Sequence, residues 1–104
     1  PIIGAGTYAE NDTCAVSATG HGEYFIRSVV AHDIAALMRY SGKSLQEAVE
    51  HVVLEKLVEF DGSGGVISVS RKGDIAMEHN TPGMYRGSID ASGKLTTAIY
   101  KDDK

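Results

Sequence analysis

Between an apolar run and a helical pattern the chain reads "SATGHGEYFIR", residues Ser17 to Arg27. The stretch offers a hydroxyl (Thr19), an imidazole (His21) and two glycines (Gly20 and Gly22) in one tight turn. Glycine lets backbone amides approach a ligand closely, at a cost in stability relative to alanine. Where a strand ends and a helix begins, unpaired amides and the helix dipole together stabilise negative charge. A developing oxyanion uses the same physics, at about 2.7–4 kcal/mol per well-placed donor. On the residues alone, a plain structural turn stands beside this anion-site reading. The dinucleotide fingerprint fails, because Phe25 occupies its third glycine position and no parallel strand follows. The phosphate-binding P-loop fails for lack of a Gly-Lys-Ser/Thr run.

Other reactive side chains are scattered. His21, His32, His51 and His79 share no metal-ligand spacing, so no metal site and no cofactor are expected. His32 and His51 fall on helical segments beside acidic neighbours and read as surface residues; His21 alone stands where a ligand could sit. The single cysteine, Cys14, lies in an apolar run and reads as a buried small hydrophobe, which also excludes an internal disulfide. Gly6-Thr7 could be mistaken for a self-cleavage point, but Thr7 falls within a strand pattern. Asn11-Asp12-Thr13 matches a glycosylation acceptor and reads as a turn.

The elements that must position the glycine turn follow from periodicity. Residues 2–8 and 13–18 read as an antiparallel strand pair around the turn chemistry of Glu10-Asn11-Asp12. Ile26, Val29, Val30, Ile34, Leu37 and Met38 recur on one helical face, and Gly42 is placed to cap that helix. Ser44 and Glu47 form an S-x-x-E capping box opening a second helix, whose face carries Leu45, Val49, Val52, Val53 and Leu57. After Asp61-Gly62-Ser63-Gly64-Gly65 the period becomes two. Ile67 and Val69, then Ile75 and Met77, flank a turn at 71–74, and a further hairpin spans 84–89 and 95–100. Strands grouped apart from helices indicate an α+β fold.

The chain has 104 residues, which suits one small domain, and opens at Pro1 without an initiator methionine. A precursor cut upstream is one expectation from that start, an abrupt domain boundary the other. Net charge of −4 argues against a nucleic-acid partner. No apolar run approaches the roughly 20 residues of a membrane span, and no leader pattern is visible, so a cytoplasmic setting is expected.

Four stretches carry a resemblance across nearly the whole chain: "PIIGAGTYAEND", "AVSATGHGEYFIR", "GGVISVSRKGDIA" and "NTPGMYRG". In them the chain resembles the plant-type asparaginases and isoaspartyl peptidases, which are threonine N-terminal-nucleophile hydrolases. Glu23 favours the isoaspartyl type over the sibling glycosylasparaginases, which usually carry aspartate there. The resemblance implies a four-layer αββα fold, made by autocleavage of a precursor, with residues 1–104 as the C-terminal part of the catalytic β subunit. It implies attack by a new N-terminal threonine on a β-aspartyl bond or on the asparagine side-chain amide, through an acyl-enzyme. Carried over by residue, Thr19 and Gly20 would form the oxyanion hole, Gly22 would lie against the substrate's amino end, and His21 would line the pocket. The nucleophilic threonine and the arginine and aspartate of the substrate clamp lie outside this chain. The implied partners are therefore the α subunit and the nucleophile-bearing segment, in an (αβ)2 heterotetramer, and the chain alone is expected to be inactive. The rival expectation is a self-sufficient α+β module that binds an anionic ligand at the glycine turn without chemistry.

Overall fold

Alternation along four strands sorts their residues onto two faces of one antiparallel sheet. In the computed structural model, which describes residues 1–102, β1 (Thr7–Ala9), β2 (Cys14–Gly20), β3 (Gly64–Ser70) and β4 (Ile75–His79) pair in the order β1-β2-β3-β4. The register sets Val16 opposite Ser68 and Ser17 opposite Ile67, with Ala76 opposite Ser68 and Ile75 opposite Val69. Cys14, Val16, Val66, Ser68 and Ala76 therefore share one face, and Ala15, Ser17, Ile67, Val69 and Ile75 the other. A second antiparallel pair, β5 (Gly83–Ile89) and β6 (Leu95–Tyr100), forms its own two-stranded sheet. The α+β class read from the sequence is the class observed.

Three helical segments close the first face: α1 (Gly22–Ser28), α2 (Val30–Ser41), and a rod that begins as α3 (Leu45–Glu50). The rod continues through a π-helical stretch, His51–Lys56, and ends in a last α-turn, Leu57–Glu59. Phe25, Val30, Ile34, Leu45, Val49, Val52 and Leu57 are buried against Cys14, Val16, Val66 and Ala76 in one core. The Cys14 thiol belongs to this core, and burial pushes its pKa up, which suits a packing role. The capping box is formed as expected. The Ser44 hydroxyl accepts from the Glu47 amide at 3.2 Å, and the Glu47 carboxylate accepts from the Ser44 amide at 2.9 Å. Gly42 caps α2 in the left-handed conformation.

Two elements differ from the periodic reading. The first strand shrinks to Thr7–Ala9, because residues 1–6 fold back: the Ala5 and Gly6 amides both donate to the Ile2 carbonyl. The carbonyls of Gly4 and Ala5 then accept from the amides of His32 and Ala31, at 2.8 and 3.1 Å. Those are first-turn donors of α2, which has no side-chain cap, so the loop does the capping. The single helix expected through residues 26–41 is correspondingly broken at Val29, a β-branched residue held at φ 49°. At the other end of α2, the Arg39 side chain donates to the Glu10 carboxylate at 3.0 Å and to Asp12 at 3.4 Å, tying the helix to the β1–β2 turn.

Candidate active site

The glycine turn lies where β2 leaves the sheet and α1 begins. Its backbone follows from the β2–β3 ladder. Gly20 stands opposite Gly64, and the His21 amide, one step on, donates to the Ser63 carbonyl at 3.0 Å. Gly20 and Gly64 are thus a non-hydrogen-bonded pair, the kind in which opposed Cα atoms come closest. A Cβ on Gly20 (φ 142°) would run into the Ser63 carbonyl and lie 2.7 Å from the Gly64 Cα and 3.0 Å from the Phe25 ring. A Cβ on Gly64 would run into the Thr19 carbonyl and lie 2.7 Å from the same ring. The two glycines therefore let two strand ends close over Phe25. Gly22 differs: a Cβ there would meet nothing within 4 Å.

The same ladder aims the donors. The non-hydrogen-bonded pairing turns the Gly20 amide away from β3, toward the edge where the Ala18 amide bonds Gly6. Beyond that edge lies a cavity of about 330 Å³ bordered by Pro1, Ile2, Thr19, Gly20 and Gly22. Thr19 projects from the opposite, open face of the sheet and is exposed. It borders a second cavity, of about 530 Å³, between the Gly64–Gly65 strand end and the β5–β6 hairpin. Thr19 and Gly20 border both. Among the described residues, none that borders either cavity has a charged side chain.

The structure brings Thr19, Gly20 and Gly22 around contiguous space and turns His21 elsewhere. The His21 Nδ1 shares a hydrogen bond of 3.1 Å with the Ser63 hydroxyl, and its ring stands 6.4 Å from that of Tyr24. Neither cavity counts His21 among its walls. Of the other histidines, His32 packs edge-on to Tyr8 and His51 faces Glu55 at 3.6 Å. His79 is buried, with its Nδ1 2.8 Å from the Thr81 carbonyl. Ser63 and Gly64, which buttress the turn, were legible only as part of a glycine-rich break. Their one sequence signal is the Gly64-Gly65 pair opening a strand, where a close approach of backbones is the usual cause.

Comparison with known proteins places these residues in a family. The asparaginase family model matches residues 1–99. The isoaspartyl peptidase of Escherichia coli (strain K12) is 53% identical over 102 residues, covering 98% of this chain and 32% of that protein. A probable isoaspartyl peptidase/L-asparaginase of Arabidopsis thaliana is 46% identical, over 97% of this chain and 30% of its own length. The isoaspartyl peptidase/L-asparaginase of Macaca fascicularis is 36% identical, over 99% and 33% respectively. The chain thus spans about a third of the length of the curated relatives it matches.

Proposed function

Since the chain belongs to the asparaginase family, we propose that it is the oxyanion-binding part of an amidohydrolase that cleaves β-aspartyl dipeptides and the side-chain amide of L-asparagine. The observation that carries this reading is the convergence of Thr19 and Gly20 on both cavities at the end of β2. The nucleophile is an N-terminal threonine freed by autocleavage in a segment outside residues 1–104. Its hydroxyl attacks the side-chain carbonyl carbon, and its own amino group takes the proton. The carbonyl oxygen becomes an oxyanion, which receives hydrogen bonds from the Thr19 hydroxyl and the Gly20 amide. Collapse expels the amine or ammonia, and water then hydrolyses the acyl-enzyme.

Gly22 lies against the substrate's amino end, where the absence of a Cβ leaves room. His21 takes a supporting place at the rim through Ser63. Charged groups that clamp the substrate come from another segment, in keeping with the uncharged side chains that the described residues set around both cavities. Residues 1–104 form the C-terminal part of the β subunit. They complete an αββα arrangement only with the α subunit and the nucleophile-bearing segment, as an (αβ)2 assembly. No described helix is long and apolar enough to cross a membrane, and a cytoplasmic setting fits the unpaired Cys14. The rival module, binding an anion without chemistry, gains no support from the named activities of the relatives.

Thr19→Ala in the complete protein tests the assignment through aspartate release from a β-aspartyl dipeptide. Turnover should fall about 100-fold with a smaller change in KM, as expected when a transition-state donor is removed. Unchanged turnover takes Thr19 out of the oxyanion hole.

A further inference from the structure

Asn80 follows β4 directly, and its polar atoms converge on the loop that supports the glycine turn. Its backbone amide donates to the Gly64 carbonyl at 3.0 Å, and its Oδ1 accepts from the Gly64 amide at 2.9 Å. Gly64 is thereby held at both its own amide and its own carbonyl. The Asn80 Nδ2 donates to the Gly62 carbonyl at 3.0 Å and to the Val53 carbonyl, in the π-helical stretch, at 2.9 Å. One amide and two carbonyls are the partners, which fixes the orientation of the carboxamide. An isosteric carboxylate could keep the bond to Gly64 but would set negative charge against two carbonyl oxygens.

What Asn80 holds is the opposing half of the site. Gly64 is the sheet partner of Gly20, and Gly65 that of Thr19. There is no slack between the strands: a single added Cβ on Gly64 would strike Thr19 and crowd Gly20 at 2.8 Å. A displacement of Gly64 must therefore pass to the Thr19–Gly20 peptide or to Phe25 beneath it. Oxyanion donors act only when held within about 0.5 Å of the productive geometry.

We propose that Asn80 is a positioning residue for the reaction. It locks Gly64 between the helical rod and β4, and so fixes the Thr19 hydroxyl and Gly20 amide against the oxyanion. The proposal rests on the amidohydrolase reading above. The experiment is steady-state hydrolysis of a β-aspartyl dipeptide by the complete protein, comparing unmodified, Thr19→Ala, Asn80→Asp and Thr19→Ala/Asn80→Asp forms. Each rate is normalised to folded protein by circular dichroism and thermal unfolding. Asn80→Asp should lower kcat roughly 10- to 100-fold while KM moves less than about threefold. In the double variant it should cost less than it does in the unmodified protein, because one of the two donors it positions is already gone.

A kcat retained by folded Asn80→Asp, with only a lowered melting temperature, overturns the proposal, as does full additivity in the double variant. In either case a Thr19→Ala defect leaves the amidohydrolase reading standing. Absence of hydrolysis by the unmodified protein sinks both. If Asn80→Asp does not fold, Asn80→Ser is measured in its place against the same criteria. Failure of both variants to fold assigns Asn80 to the fold alone and overturns the proposal.

Discussion

The two faces of the β1–β4 sheet are built from alternate residues of the same strands, and they end in opposite conditions. On one, Val16, Val66 and Ala76 are sealed beneath α1, α2 and the α3 rod, with Ile34 and Leu57 wholly inaccessible. On the other, Ile67 and Val69 remain 46% and 47% exposed although their side chains are no less apolar. Exposed β-branched residues at period two on a sheet centre describe a surface made to be covered. Thr19 lies on that open side, at its end. The contrast teaches that the closed half of this molecule carries the fold, while the candidate site sits at the rim between the halves, with Thr19 on the open face and Gly20 turned toward Phe25.

The largest expected effect tests the contrast directly. Ile34→Ala should destabilise the protein by about 2–5 kcal/mol, measured by denaturant unfolding, because it opens a cavity in a sealed core. Ile67→Ala should cost less than about 1 kcal/mol in the 104-residue chain alone, and clearly more in the complete protein, as expected of a face that a further segment covers there. Equal costs in both settings would mean that nothing covers it.

The turn repeats the contrast at smaller scale and sharpens it. Gly20 faces inward, so Gly20→Ala should destabilise by about 1–3 kcal/mol through overpacking against Ser63 and Gly64. Gly22 faces open space at the first helical position, so Gly22→Ala should leave stability unchanged or raise it by up to about 1 kcal/mol. Its expected cost is to substrate binding, as a several-fold rise in KM. A Gly22→Ala protein with unaltered KM would detach Gly22 from the substrate.

The smallest effect lies on the closed side, at the tie between α2 and the β1–β2 turn. Partial burial works against ionisation of Glu10, but hydrogen bonds from Arg39 and Thr13 outweigh it and hold the carboxyl below its ordinary 4.5. A depressed carboxyl pKa stabilises the fold at neutral pH, and the contribution is lost as pH falls through the folded-state value. Melting temperature followed between about pH 7 and pH 3 should show a shallower acid decline in Arg39→Gln than in the unmodified protein. Parallel curves would leave the pair without net worth, as is common for exposed ion pairs.

Much of this architecture is local, and local physics is legible in a sequence. Ser44 and Glu47 satisfy each other's amides within one turn, Gly42 supplies a left-handed cap, and the alternation of 67–70 and 75–78 can suit only a sheet. Thr19, Gly20 and Gly22 stood out as a tight strand-to-helix turn, but their types left a structural turn beside an anion site, and their candidate roles came from the family resemblance. What the sequence could not determine were choices settled by contacts between distant segments. Whether residues 26–41 form one helix or two was decided at Val29, where the Gly4 and Ala5 carbonyls capture the amides of His32 and Ala31. The reason Gly20 must be glycine turned out to be Gly64 and Phe25 rather than a ligand alone. Asn80, far along the chain, carries no periodic signal, since a carboxamide's partners are fixed only when the rod, the 62–64 loop and β4 meet. Periodicity and capping depend on neighbours within about four residues, so the sequence determines them alone. Close backbone approach and the satisfaction of distant carbonyls depend on tertiary packing, so the structure decided them.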